Sequence, residues 1–411
     1  MYPTFAEYLT EGKEGKLMHL THLEDVLLDD GSVGITFIFD VLREFHHMLS
    51  GSGVSRSMNV TTKWDGAPSV VFGPDPRDGK FFVATKSAFN KVPKLMKSHA
   101  EIAAAYGDAS IGRVLGYCLD YLSVLQPSRI LQGDLLFVPG SVKEQTVGDT
   151  SYLTFRPNTI LYAVDATSQL GHQILRAQIG IVIHTMYTGS GTSLDAYRAG
   201  PISPMVFSSL KHASSVLTLD AAYDDMSGTV TFTTEEEADY TLAVQRVRAN
   251  IRGISAPVFN MISADPIKMY ISMFLNQQVR QGRTMSGPQT ADAFMAWLDQ
   301  RAAEEMSKRS SVAGQAAIRD RFAVLQHQLV PRQRELGQWF ELHRCIADAK
   351  LMIIRKLAQV SRVQTFIPTA SGLQVTGPEG FVAVSHTGRM VKLVDRLGFS
   401  RANFLAAKEW T

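Results

Sequence analysis

The stretch Thr61-Thr62-Lys63-Trp64-Asp65-Gly66-Ala67-Pro68 carries the most reactive chemistry in this 411-residue chain. A β-type run, Met58-Asn59-Val60, precedes it, and an apolar run, Ser69-Val70-Val71-Phe72, follows. The amine of Lys63 is therefore expected on a tight connection between two strands, where Gly66 permits an unusual backbone angle. A lysine amine is a poor nucleophile in water, with a pKa near ~10.4. Burial or a neighbouring cation lowers that value and frees the amine for covalent chemistry. Taken alone, Asp65-Gly66 also reads as the turn of a surface hairpin. Other capable residues, in order along the chain, must decide between the two.

Several such residues follow. Phe81-Phe82-Val83-Ala84-Thr85-Lys86 reads as a strand ending in a cation. Lys91, Lys94 and Lys97 share one broad side of an expected helix opened by Pro93. They would hold a phosphate backbone or form a solvated face. Ile130-Leu131-Gln132-Gly133-Asp134-Leu135-Leu136-Phe137 is an apolar strand with one carboxylate. Burying that charge costs several kcal/mol unless it is paired or bound. Glu379 begins another apolar strand, where it could hold a divalent metal on phosphates. Lys392 lies inside Met390-Val391-Lys392-Leu393-Val394-Asp395-Arg396 and needs an anion.

In this order the residues resemble the motifs of covalent nucleotidyltransferases: DNA ligases, RNA ligases and mRNA capping enzymes. The resemblance implies that Lys63, in Lys63-Trp64-Asp65-Gly66, attacks the α-phosphate of a nucleotide and carries the nucleotidyl group as a phosphoramidate. Asp65 and Gly66 belong to the same nucleotide-binding motif. Lys86 stands where the family has a basic residue near the phosphates, usually arginine; as a plain exposed strand lysine it would do nothing there. Gly133-Asp134 resembles the third motif, with Asp for the usual Glu, and implies contact with the sugar or the metal. Tyr162-Ala163-Val164-Asp165 resembles the base-stacking segment, with Val164 in place of phenylalanine. Tyr162 would then stack on the base or fill the core. Ile179-Gly180 lacks the carboxylate of the fourth motif, which leaves Glu379-Gly380 for that role, and His184 is assigned to structure. Lys392 resembles the fifth motif and joins Lys63 as a catalytic residue. Val394 takes the place of its second lysine, so a further cation would come from Arg396 or Lys86. Lys91, Lys94, Lys97 and Arg396 are the candidates for nucleic-acid contact.

The implied fold is α+β, a ligase-type nucleotidyltransferase with antiparallel, ATP-grasp-like sheets, a large helical insertion and no C-terminal oligonucleotide-binding barrel. Residues 1–50 form an N-terminal helical segment, in which Gly31 separates two runs. Residues 51–200 form the first part of the nucleotidyltransferase domain, 201–363 the helical insertion with methionines as core filling, and 364–411 the last strands. The implied activity is an ATP- and Mg²⁺-dependent polynucleotide ligase that seals 5′-phosphate to 3′-hydroxyl ends, RNA being favoured over DNA. Transfer of AMP or GMP to a protein or an RNA cap is an alternative, as is a degenerate, non-catalytic structural protein. The layout also resembles a set of tailed-phage proteins with similar Lys-Trp-Asp-Gly-Ala-Pro and Val-Lys-Leu-Val-Asp-Arg segments.

Composition sets the outer limits. The chain is 45% hydrophobic and 19% charged, which supports two domains or one with a large insertion. A net charge of +2 permits nucleic acid without arguing for it. Cys118 and Cys345 are far apart, without metal-ligand spacing, so no zinc site is expected and a reducing, cytoplasmic compartment is. No signal peptide or apolar span of ~20 residues is expected.

Overall fold

Short apolar runs bounded by Gly, Pro and Asp form strands, and longer runs with 3.6-residue periodicity form helices. The computed structural model describes residues 20–51, 58–64, 66–158, 160–220, 230–283, 287–359, 364–369, 372–376, 379–385 and 389–400. The architecture is mixed α+β with several sheets. In chain order the strands begin with β1 (Met58–Thr62), β2 (Ser69–Pro74), β3 (Phe81–Ala84), β4 (Ile130–Phe137) and β5 (Lys143–Val147). They continue with β6 (Thr150–Phe155), β7 (Leu161–Asp165), β8 (Ile179–Thr188), β9 (Arg198–Pro201) and β10 (Val216–Asp220). The last are β11 (Gln364–Thr369), β12 (Gly372–Thr376), β13 (Gly380–Ser385) and β14 (Met390–Val394).

The chain divides into two compact units. The first comprises Met1–Leu20, Asn59–Asp225 and Ala358–Met390. Its central sheet has the order β10-β8-β4-β2-β3, with β9 alongside β8. β4 is antiparallel to both β2 and β8, and β10 runs parallel to β8. The apolar runs in β4 and β8 fit strands covered on both faces. One face packs Val70, Phe72, Leu131, Leu135 and Ile181 against Leu115, Cys118 and Leu122 of the helix Ser110–Leu122. The other buries Val71, Phe82, Ala84, Ile130 and Tyr187. Each fully buried large apolar side chain contributes about 1.5–3 kcal/mol. A second, antiparallel sheet has the order β12-β11-β7-β6-β5.

Three sequence expectations change in this unit. β1 pairs with β13, whereas β2 pairs with β3 and β4, so Lys63 does not lie in a β-hairpin. Residues 91–97 form no helix; after Pro93 the chain is held in extended backbone by Met96, which exchanges hydrogen bonds with Val83 (both 2.9 Å). β9 and β10 carry the β-rich unit past residue 200, because a five-residue strand is too short for periodicity to announce.

The second unit comprises Thr21–Met58, Met226–Leu357 and Val391–Thr411. Its helices are Val26–Leu49, Thr234–Ile251, Ala256–Ile262, Ile267–Arg280, Gly287–Ser307, Val312–Leu329 and Gln333–Ala358. The N-terminal helix thus groups with the helical block. Gly31 (φ 57°) separates two helical stretches within it, where a Cβ would meet Ser263 Oγ at 3.0 Å. Thr233 and Glu236 form a reciprocal capping box on Thr234–Ile251. Pro266 caps Ile267–Arg280. The core is built on Phe274, Phe294, Trp339 and Phe340, with ring centroids 5.3–6.0 Å apart in edge-on pairs. Met261, Met273, Met295, Met306 and Met352 are only half-buried and Met269 is exposed, so these methionines lie at the edge of the core and do not fill it.

Candidate functional site

Lys63 is the residue that follows β1, and its backbone N–H donates to Gly380 O at the head of β13 (2.8 Å). That main-chain bond brings Glu379 alongside, and Lys63 Nζ donates to Glu379 Oε1 at 2.6 Å. The lysine side chain is 21% exposed and the glutamate side chain 4%. A short, charge-assisted bond reached from solvent on the amine side is thus fixed between residues 316 positions apart.

Gly66 acts differently from the expectation. Its backbone is not in the positive-φ region; what matters is proximity. A Cβ there would lie 2.7 Å from Asp134 Cβ and 2.8 Å from Leu135 O. Ala67 N–H donates to Leu135 O (3.0 Å) and Leu135 N–H donates to Pro68 O (3.2 Å). The segment after Lys63 is thereby laid against β4 at Asp134.

Asp134 stands opposite Ser69 in the β2–β4 register. His184 Nε2 lies 3.3 Å from its Oδ1. Burial opposes ionisation of Asp134, but hydrogen bonds from His184 and Ser69 and the charges of His184 and Lys63 hold its carboxyl below the usual range. His184 reaches this position through a β-bulge. Gln132 pairs with Thr185 and Gly133 with Ile183, which leaves His184 as the extra residue. Its Nδ1 lies 2.7 Å from Thr185 Oγ1. Gln132 Nε2 donates to Ser69 Oγ (2.8 Å), and Tyr187 Oη donates to Gln132 Oε1. The carboxylate is thus a link in a polar chain threaded through three strands. The histidine was visible in the sequence, but the bulge that aims it was not.

Trp64 packs on Tyr162 and Phe155, with ring centroids 5.1 and 6.5 Å away. Tyr162 is fully buried, which decides for the core reading over base stacking. Lys86 is exposed and opens the 3-10 turn Lys86–Phe89; β3 has already ended at Ala84. Lys91 is exposed, and Lys94 Nζ sits 5.9 Å from the Tyr106 ring centroid. Lys97 bridges buried Asp75 (2.6 Å) and Asp78 (2.8 Å), so it fastens the β2–β3 loop instead of offering its charge to a phosphate backbone. Asp65 lies outside the described residues.

Lys392 and Arg396 belong to the second unit. Lys392 N–H donates to Thr21 O at 3.0 Å. The Arg396 side chain is 12% exposed, and its guanidinium donates to both Asp25 oxygens and to Asn276 Oδ1, each at 2.9 Å. That anchoring corrects its expected role in nucleic-acid contact. Among the described residues no group of three or more His, Cys, Asp or Glu side chains is placed to bind a metal ion, and no helix is long and apolar enough to cross a membrane.

These features define an α+β protein with a lysine–carboxylate site at a strand end. The chain belongs to the DUF6267 family, a family of unknown function whose model matches residues 17–408. No curated protein and no solved structure matches it.

Proposed function

We propose that this protein is an ATP-dependent polynucleotide ligase of the covalent nucleotidyltransferase type, with RNA ends as the favoured substrate. The observation that carries this reading is the 2.6 Å Lys63–Glu379 pair, with Asp134 close enough for the Lys63 charge to act on it. One nucleophile and two carboxylates, widely spaced in sequence, share one neighbourhood. In this reading the β-rich unit is the nucleotidyltransferase domain and the helical unit its insertion.

The chemistry follows from the side chains. Glu379 accepts the hydrogen bond of Lys63 and so holds the proton that the amine must lose. The amine then bonds to the α-phosphorus of ATP as the bond to pyrophosphate breaks. The adenylyl group passes from Lys63 to a 5′-phosphate end, and a 3′-hydroxyl displaces AMP to close the strand. Two carboxylates and a triphosphate are a donor set suited to Mg²⁺; Glu379 and Asp134 would hold the ion, and it would neutralise charge at the phosphates. The resemblance assigns phosphate charge also to Lys392 and Lys86.

Incubation with α-labelled ATP and magnesium tests the reading. A covalent, acid-labile adduct is expected on the wild type and none on Lys63→Arg, with weaker labelling of Lys392→Ala and Lys86→Ala. A wild type that forms no adduct overturns it. An adduct that forms without joining RNA or DNA ends moves the acceptor to a protein or a cap.

A further inference from the structure

The helical unit contains a cavity of about 410 Å³ that the lysine–carboxylate site does not use. Its volume falls in the range of small-molecule sites, about 300–1,000 Å³. Leu275, Val279, Ala347, Leu351 and Leu397 supply apolar wall. Glu24, His343, Lys350 and Arg396 also line it, and they belong to two buried ionic assemblies. Lys350 Nζ donates to both oxygens of Glu24 (2.7 and 2.8 Å), each side chain being 1% exposed. Asp25 accepts from Arg396 and lies 2.9 Å from His343 Nε2.

Ion pairs this deep do not stabilise a fold better than apolar residues of the same volume would. Their position beside an apolar cavity calls for another use. The remaining valences point to one. A lysine ammonium has three donors, and two of those on Lys350 are directed at Glu24. Arg396 Nε has no hydrogen-bond partner among the described residues. The acids nearer the surface are already served. Arg344 holds Glu341 and Asp348, and Asp395 accepts from the backbone N–H groups of Leu397 and Gly398. Exposed Arg283 adds a cation to the lining. The capacity left over after these pairings is therefore cationic and donating, beside the apolar wall.

We propose that this cavity is a second, small-molecule site, and that it takes an organic anion with an apolar body: the body against Leu275, Val279 and Leu351, the anionic head toward Lys350 and Arg396. The site is independent of nucleotidyl transfer.

The test uses the full-length protein with 8-anilinonaphthalene-1-sulfonate, an aromatic sulfonate, as probe and the cationic dye proflavine as control. Saturable one-to-one binding of the sulfonate is expected, with a cooperative melt retained and its midpoint raised. Proflavine binds at least about tenfold more weakly. Ala347→Trp fills the chamber and lowers sulfonate affinity by at least about tenfold; Leu351→Phe does the same job should Ala347→Trp fail to fold. The double variant Glu24→Leu/Lys350→Met, which removes the ion pair without stranding either charge, also weakens sulfonate binding. Absence of binding, equal binding of proflavine, or an affinity that neither filling variant changes overturns the proposal.

Discussion

Two lysine–glutamate pairs, one in each unit, have nearly the same bond and opposite surroundings. Lys63–Glu379 is 2.6 Å long, with the lysine side chain 21% exposed and the glutamate 4%; Lys350–Glu24 is 2.7 Å long and both side chains are 1% exposed. The first belongs to a partly exposed lysine side chain that bonds one glutamate oxygen; in the proposed reaction a substrate phosphate would replace the carboxylate there. The second grips both glutamate oxygens, and both side chains are buried. Bond length alone therefore says little about role. Hydration of the amine separates a pair that can open from one that must stay closed.

The largest effect that would sharpen this contrast is on stability. Lys350→Met leaves Glu24 charged and enclosed, and is expected to cost about 3–5 kcal/mol in chemical denaturation. Glu24→Leu/Lys350→Met should recover most of that loss; failure to recover it would mean that the pair holds the unit together in some other way. The same pair sets an acid limit. Burial opposes the Glu24 carboxylate, but the charges that face it, Lys350 first and then His22 and His343, together hold the group below the ordinary glutamate range. A carboxyl depressed in the folded state gives stability above its unfolded pKa and loses it as pH falls through the folded value. His22, kept neutral chiefly by burial with its pKa well below the usual 6.5, acts in the same direction. Thermal midpoints of the wild type should thus decline from about pH 6.5 downward, and the double variant should show a shallower decline below the glutamate range.

A middle-sized effect is expected at Gly66. Gly66→Ala puts a methyl group 2.7 Å from Asp134 Cβ, with β4 backbone behind it, and should cost about 1–3 kcal/mol with a matching drop in adenylate labelling. Wild-type labelling in this variant would show that the close approach to Asp134 is dispensable. Lys63→Met is expected to cost about 1–3 kcal/mol, less than Lys350→Met, since the lysine side chain is partly hydrated although Glu379, 4% exposed, loses a partner. A cost equal to that of Lys350→Met would erase the distinction between the two pairs.

The strands at 69–74, 81–84 and 130–137 were legible because each is an apolar run ended by Gly, Pro or Asp, and the helical block because its apolar positions repeat at 3.6 residues. Trp64, Tyr162 and His184 were visible as residue types but not as roles. Tyr162 lies in a strand pattern that suits stacking or core equally, and only burial against Trp64 and Phe155 separates them. His184 is aimed by one extra residue in β8, a register event that leaves no local mark. Lys97 and Arg396 were read as open charge because their acids, Asp75 and Asp25, come from other parts of the chain.

The amino-acid sequence by itself determined which segments became strands and helices, and that a lysine and two carboxylates sat where apolar neighbours made them costly. Those are local properties of spacing and desolvation. Tertiary structure alone decided that Glu379 meets Lys63, that Asp134 meets His184, and that Lys350 is buried with Glu24. Strand pairing and helix packing join residues tens to hundreds of positions apart, and no periodicity in the chain encodes that distance.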